Sequence, residues 1–266
     1  MIFLTNPLHY ALHHNLRWRL ADQFDFIKGH QAVTVARGEL AHIASHLLLA
    51  VQTVGSDLQV VVLLDERLYP SPPLTSDGQW KRGPIPMTLR YHPFSALRDA
   101  RRPNEALLGV VADHRYLDPV VGEAFFDDLA RPLPRVLAVQ RRLMQIVIEK
   151  KQLATAAKCL QTMDVLVPLD DGVMQGRRGF STVDIEALSS IPASRIAAAS
   201  TRPHDIVQLA AALDLSAGLH LAPLRARGSN QSSAIPSLVR NAPAIGQVSS
   251  PSSFLVDDEF VMTFEN

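Results

Sequence analysis

Between Asp77 and Phe94 the chain reads Asp-Gly-Gln-Trp-Lys-Arg-Gly-Pro-Ile-Pro-Met-Thr-Leu-Arg-Tyr-His-Pro-Phe. No regular helix or central strand can run through this stretch before about Met87, because Pro84 and Pro86 lack an amide proton and fix their own φ. Asp77-Gly78 followed by large residues predicts a tight turn that enters a strand. Trp80, one of only two tryptophans, and the cations Lys81, Arg82 and Arg90 are thereby mounted on stiff backbone. Such a stretch is either a packed corner or a recognition surface. As a surface, Trp80, Tyr91 and Phe94 offer flat apolar area, while Arg82 and Arg90 pair with carboxylates or stack on rings. As a corner, Trp80 and Phe94 belong to the core and the arginines cap it. Packing is the first use of aromatics beside prolines, and His92 is the residue of the set to place first.

The rest of the chain supplies the mass that such a corner needs. Its 266 residues are enough for one large domain or two small ones. Lys plus Arg equals Asp plus Glu at 26 each, so no net field draws the protein to nucleic acid or an anionic membrane. The longest apolar runs, Leu47 to Val51 and Val60 to Leu64, fall far short of the roughly 20 residues of a membrane span. Cys159 is the only cysteine, which excludes an intramolecular disulfide and fits a reducing compartment. Its apolar helical surroundings predict an inert buried thiol. The N-terminus has neither a basic n-region nor an apolar h-region, so a cytoplasmic location is expected.

Taken in order, residues 1–130 read as β-rich. Gln31 to Ala36 and Asp57 to Leu64 are predicted strands, the second buried on both faces. Ala106 to Ala112 is a third. Gly38 to Thr53 reads as a covering helix, with Leu40, Ile43, Leu47 and Ala50 on one stripe. From residue 131 to 225 the pattern turns helical. Val136 to Met163 is one long helix with Val139, Leu143, Ile146, Leu153, Ala157 and Leu160 recurring at helical spacing. Val165 to Leu169 is a short strand or an extended connector, and Gly176 to Gly179, with Arg177 and Arg178, is a loop. Asp184 begins a helix over Ile185 to Ser190, and another starts near Pro203 and stops at Gly218. Residues 226–253 form a low-complexity, flexible linker, and 254–266 alternate like a terminal strand around Asp257, Asp258 and Glu259. That strand docks on its own domain or on a partner's edge.

The 77–94 stretch resembles the SapC family, a bacterial surface-layer-associated group. Its members carry an acidic-Gly-x-Trp turn, an Ile/Val-Pro pair, then Leu-Arg-Arg-Tyr-Pro-Phe. Here these are Asp77-Gly78-Gln79-Trp80, Ile85-Pro86 and Leu89-Arg90-Tyr91-His92-Pro93-Phe94. Weaker similarities are Gly38-Glu39-Leu40, Gly122-Glu123-Ala124-Phe125-Phe126-Asp127 and Val183-Asp184-Ile185-Glu186-Ala187-Leu188, all in family order across roughly residues 5–225. One departure stands inside the signature: His92 separates the tyrosine from Pro93-Phe94. The resemblance implies a bacterial cytoplasmic accessory protein that serves a surface-associated or amino-acid-modifying system.

Motif-borne catalysis finds no support in the sequence. It contains no Gly-x-Ser-x-Gly elbow, phosphate-cradling loop, dinucleotide fingerprint or His-Glu-x-x-His. Ten histidines keep one alternative open, an enzyme with a His-ligated metal. Glu39, His42 and His46 are spaced to line one edge of a helix and are the metal candidates, with His9, His13 and His92 as the remaining pool. The expectation is therefore an α+β protein: a β-rich N-terminal half with a covering helix, a mainly helical half packed on it, and a flexible tail. Its function is expected to be non-catalytic binding without a cofactor, directed at a protein partner or a small amino-acid or peptide ligand. Trp80, Arg82, Arg90, Tyr91, His92 and Phe94 are the candidate binding residues.

Overall fold

The apolar run after Asp57 is a strand, and its unbroken Val and Leu sequence is explained by burial from both sides. It belongs to an α+β fold seen in a computed structural model that describes residues 4–99, 102–169 and 179–221. The chain opens with β1 (Thr5–Pro7), α1 (Tyr10–His13), β2 (Arg17–Trp18) and β3 (Ala32–Thr34). Then come α2 (Leu40–Ala44), β4 (Leu49–Val54), β5 (Asp57–Leu63), α3 (Met87–Arg90), β6 (Phe94–Asp99) and β7 (Arg102–Val111). β8 (Leu117–Asp118) and β9 (Glu123–Ala124) precede the long α4 (Pro134–Thr162). β10 (Leu166–Pro168), β11 (Phe180–Val183), α5 (Ile185–Ser189), α6 (Ala193–Ala199) and α7 (Pro203–His220) complete it.

Among the described residues the strands form three antiparallel sheets. The largest has the order β10-β11-β4-β5-β3, so strands from the later half of the chain extend a sheet begun in the earlier half. Its central hairpin pairs Val54 with Asp57 across a two-residue loop, and Gly55 supplies the positive φ of 57° that such a loop demands. The other sheets are β1-β7-β6 and the small β8-β2-β9.

α4 begins at Pro134, whose missing amide proton is no loss in a first turn. At roughly 1.5 Å per residue its 29 residues span about 43 Å. That length lets one helix serve two cores. Val136, Val139, Leu143 and Ile146 pack with Trp18, Phe94, Val110 and Phe125. Leu153, Ala156, Ala157 and Leu160 pack with the large sheet and with Leu209 and Leu213 of α7. Between the two sets, Glu149 is the one charged residue on the buried stripe, and its Oε2 accepts the Gly38 amide at 2.9 Å.

Several local expectations are corrected. The helix expected over Gly38 to Thr53 ends at Ala44, and Leu49 to Val54 forms β4 instead. A continuous apolar run fits both periodicities, and pairing with β5 decides it. The covering of the large sheet falls to α4 and α7. The stretch after Asp77-Gly78 does not enter a strand: Leu74 and Trp80 make an isolated bridge, and Met87–Arg90 is a helical turn. Gly218 does not stop the last helix, which runs on to His220. Cys159 is half-buried, donating its thiol to the Ala199 carbonyl at 3.3 Å. The loop expected at 176–179 lies outside the described residues except for Gly179, as do the expected linker and terminal strand. Among the described residues no helix is long and apolar enough to cross a membrane.

Candidate functional site

The 77–94 stretch folds as a corner laced to three neighbouring elements. Its turn closes through Thr75, whose hydroxyl donates to Asp77 and whose Oγ1 accepts the Gln79 amide at 3.0 Å. The next main-chain link binds the turn to the first third of the chain, since Phe24 donates its amide to the Gly78 carbonyl at 2.6 Å. Trp80 is half-buried, edge-on to Phe24 with centroids 6.3 Å apart, and its Nε1 donates to the Arg82 carbonyl at 2.8 Å.

Arg82 sits with its guanidinium carbon 5.1 Å from the centre of the Tyr69 ring, and its Nε donates to the His46 carbonyl at 2.8 Å. Gly83 lies against His46 so closely that a Cβ there would fall 2.4 Å from the His46 Cβ. Its φ of 62° also favours glycine. Tyr69 is buried and stands as a polar post: its hydroxyl donates to the Leu63 carbonyl at 2.6 Å and accepts the Leu48 amide at 3.0 Å. Burial pushes its phenol well above the usual tyrosine range.

Further along, Pro86 leads into α3, and the Met87 amide is received by Glu39 Oε2 at 2.8 Å. Glu39 Oε1 takes the Ala36 amide at 2.9 Å. Burial raises the Glu39 carboxyl, against the pull of the two amides and Arg90, and Glu149 adds to the rise. Arg90 is exposed and donates from Nε to the Ile85 carbonyl at 2.6 Å. Tyr91 is half-buried on the second core.

His92 is buried, with 7% of its surface exposed, and stacks on Phe26 with centroids 4.1 Å apart. Its Nε2 lies 3.2 Å from Asp113 Oδ2. Arg115 grips Asp113 through Nε at 2.9 Å and Nη2 at 2.6 Å, and also pairs with Asp25. Desolvation lowers the His92 pKa despite its carboxylate neighbour. For Asp113, burial alone would raise the carboxyl, but the Arg115 hydrogen bonds prevail and hold it below the usual range. Phe94 is 3% exposed, edge-on to Trp18 at 4.7 Å.

The six predicted binding residues therefore divide by depth. His92 and Phe94 are interior, Trp80, Arg82 and Tyr91 are half-buried, and Arg90 is exposed. The three predicted metal candidates do not converge. Glu39 turns inward as a cap, while His42 is exposed and holds His46 through its own carbonyl at 3.0 Å from His46 Nδ1. Among the described residues no group of three or more His, Cys, Asp or Glu is placed to hold a metal. His13 is buried against Phe125, with its Nδ1 2.9 Å from the His9 carbonyl. Sequence reasoning missed Asp113, Arg115, Asp25, Tyr69 and His220. Asp113 and Arg115, two apart just after a strand, were the visible signal for the first pair.

Comparison with known proteins gives one family. The SapC family profile matches residues 8–219. No curated protein and no solved structure matches the chain. The matched span contains the whole corner, its Glu39 cap and its His92–Asp113 anchor, and the chain belongs to the SapC family.

Proposed function

We propose that this SapC-family protein is a non-catalytic, cytoplasmic binding or accessory protein, with residues 1–225 as a single SapC-like domain. Its partner is a protein or a small amino-acid or peptide ligand, within a surface-associated or amino-acid-modifying bacterial system. One observation carries the reading: the reactive side chains of the corner are engaged in holding main chain. Trp80, Arg82 and Arg90 each donate to a carbonyl, and Glu39 receives two amides. A general acid or base must instead present its proton to a substrate. The corner leaves Asp77, Lys81 and Arg90 exposed and Trp80, Arg82 and Tyr91 partly so, on rigid backbone, a composition suited to recognition.

The test is affinity capture from the native bacterium with tagged wild-type protein, Arg90→Ala and Tyr91→Ala. A partner held by the wild type and lost from variants of unchanged circular dichroism is expected. Equal capture by all three, or a stoichiometric transition metal in the purified protein, would refute the reading.

A further inference from the structure

His220 ends α7 with 7% of its surface exposed and one ring nitrogen, Nε2, buried without a hydrogen-bond partner among the described residues. The Ala44 backbone lies close enough to favour a proton on the ring, but burial outweighs it. A buried polar atom left unpaired costs on the order of 1–3 kcal/mol, so such an atom calls for an explanation. The surroundings supply one. The His220 ring is edge-on to Tyr69, centroids 5.7 Å apart, and the face of the same tyrosine carries Arg82. His46 completes the group: Arg82 and His46 are both close enough to disfavour a proton on His220. One guanidinium and one imidazole thus meet on the Tyr69 ring, with His46 joined to them through the Arg82 Nε bond to its carbonyl.

Among the described residues no acid pairs with Arg82 or His220. Arg82 makes no ion pair among the described residues, and its one hydrogen bond there uses Nε, which leaves both terminal nitrogens for a ligand. Asp65, whose charge is felt at Tyr69, is held by Arg67 at 2.6 Å. Gly83 also lies against His46 here, at a positive φ that glycine adopts freely. That close approach keeps Arg82 beside His46, whose carbonyl its Nε holds at 2.8 Å. A guanidinium with a free fork is the protein group best matched to a carboxylate.

From this arrangement we infer that Arg82, His46 and His220 form a binding site for a small carboxylate, with Arg82 as the fork and His220 Nε2 as the second contact. The carboxylate belongs to a free amino acid or to the C-terminus of a peptide. Its negative charge reverses the local field, so the His220 ring holds a proton and donates from Nε2. The inference rests on the binding-module reading above and gives that module a ligand class.

The experiment follows the His220 ring protons by NMR in the full chain, assigned by their absence in His220→Gln. N-acetylglycine, glycine and N-acetylglycinamide are titrated in turn. Saturable shifts with one or both carboxylates are expected, and none with the amide. Tighter binding of glycine marks a free amino acid as the ligand, whereas tighter binding of N-acetylglycine marks a chain terminus. Arg82→Gln is expected to weaken the binding at least tenfold, and if it unfolds, His46→Gln carries the same expectation. Absence of a saturable shift with either carboxylate, or undiminished binding in the folded variant, overturns the site. Partner capture by Arg90→Ala and Tyr91→Ala reports separately, so loss of the carboxylate site with capture intact leaves the broader reading standing.

Discussion

His92 lies flat against Phe26, ring planes 15° apart and centroids separated by 4.1 Å, while its Nε2 faces the Asp113 carboxylate. The pair joins the 77–94 corner to a short turn near the N-terminus and to the strand end that bears Asp113. The residue inserted into the family signature is thus a tie between distant parts of the chain.

Acid should loosen the protein through this tie. Burial lowers the pKa of His92, His13 and His220 below the ordinary histidine value of 6.5. Below about pH 6.5 the unfolded chain binds protons that the folded chain refuses, so stability falls as pH drops through that window. Each histidine contributes up to about 1.4 kcal/mol per pH unit. Glu39 works in the other direction, because its folded pKa is raised above 4.5 and its contribution recovers as pH falls through that raised value. Three groups against one leave a net loss. Urea midpoints measured from pH 7 to pH 5.5 should decline, and His92→Gln should flatten the slope.

Arg115→Ala should be worse than Asp113→Asn. The first leaves a buried carboxylate, 3% exposed, with its main counter-charge gone. Removing one member of such a pair costs about 3 kcal/mol, whereas the amide keeps part of the hydrogen bonding without the charge. Chemical denaturation of the two variants beside wild type checks the order, and a reversed order would show that Asp113 is stabilised chiefly by something other than Arg115.

Phe94→Ala should cost about 3–5 kcal/mol, since the ring is 3% exposed and packed on Trp18 and Phe125. Trp80→Ala, at a half-buried ring, should cost less, about 2 kcal/mol. Thermal unfolding of both reads the depth at which each end of the corner is embedded.

Two glycine replacements separate strain from collision. Gly55→Ala places a Cβ in open space and bears only the strain of positive φ, about 1 kcal/mol. Gly83→Ala adds a Cβ 2.4 Å from that of His46, so its loss should exceed the first by at least about 1 kcal/mol. It should also displace the Arg82 guanidinium, which tryptophan fluorescence at neighbouring Trp80 can report.

Elements with an unambiguous period were legible in the sequence. α4 announces itself by a stripe from Val136 to Leu160, and β5 by its run of valines. β4 was not legible, because Leu47 to Val51 is apolar at every position and only the hairpin partner selects a strand. The corner's outline could be read from its prolines, but the roles inside it could not. Glu39 lies 48 residues before the Met87 amide it receives, and Asp113 lies 21 residues after His92. His220 meets Tyr69 across most of the chain. No local spacing encodes such meetings.

A helix shared by two cores also sets a rule for lengths. Each residue of α4 turns the chain by about 100°, so one residue gained or lost between Ile146 and Leu153 would rotate one buried set away from its core while the other stayed seated. Glu149 would swing off the Gly38 amide in the same step. Loops such as that between β8 and β9 bear no such phase. The chain can therefore change length at its turns, but across the Glu149 junction its residue count is fixed by geometry.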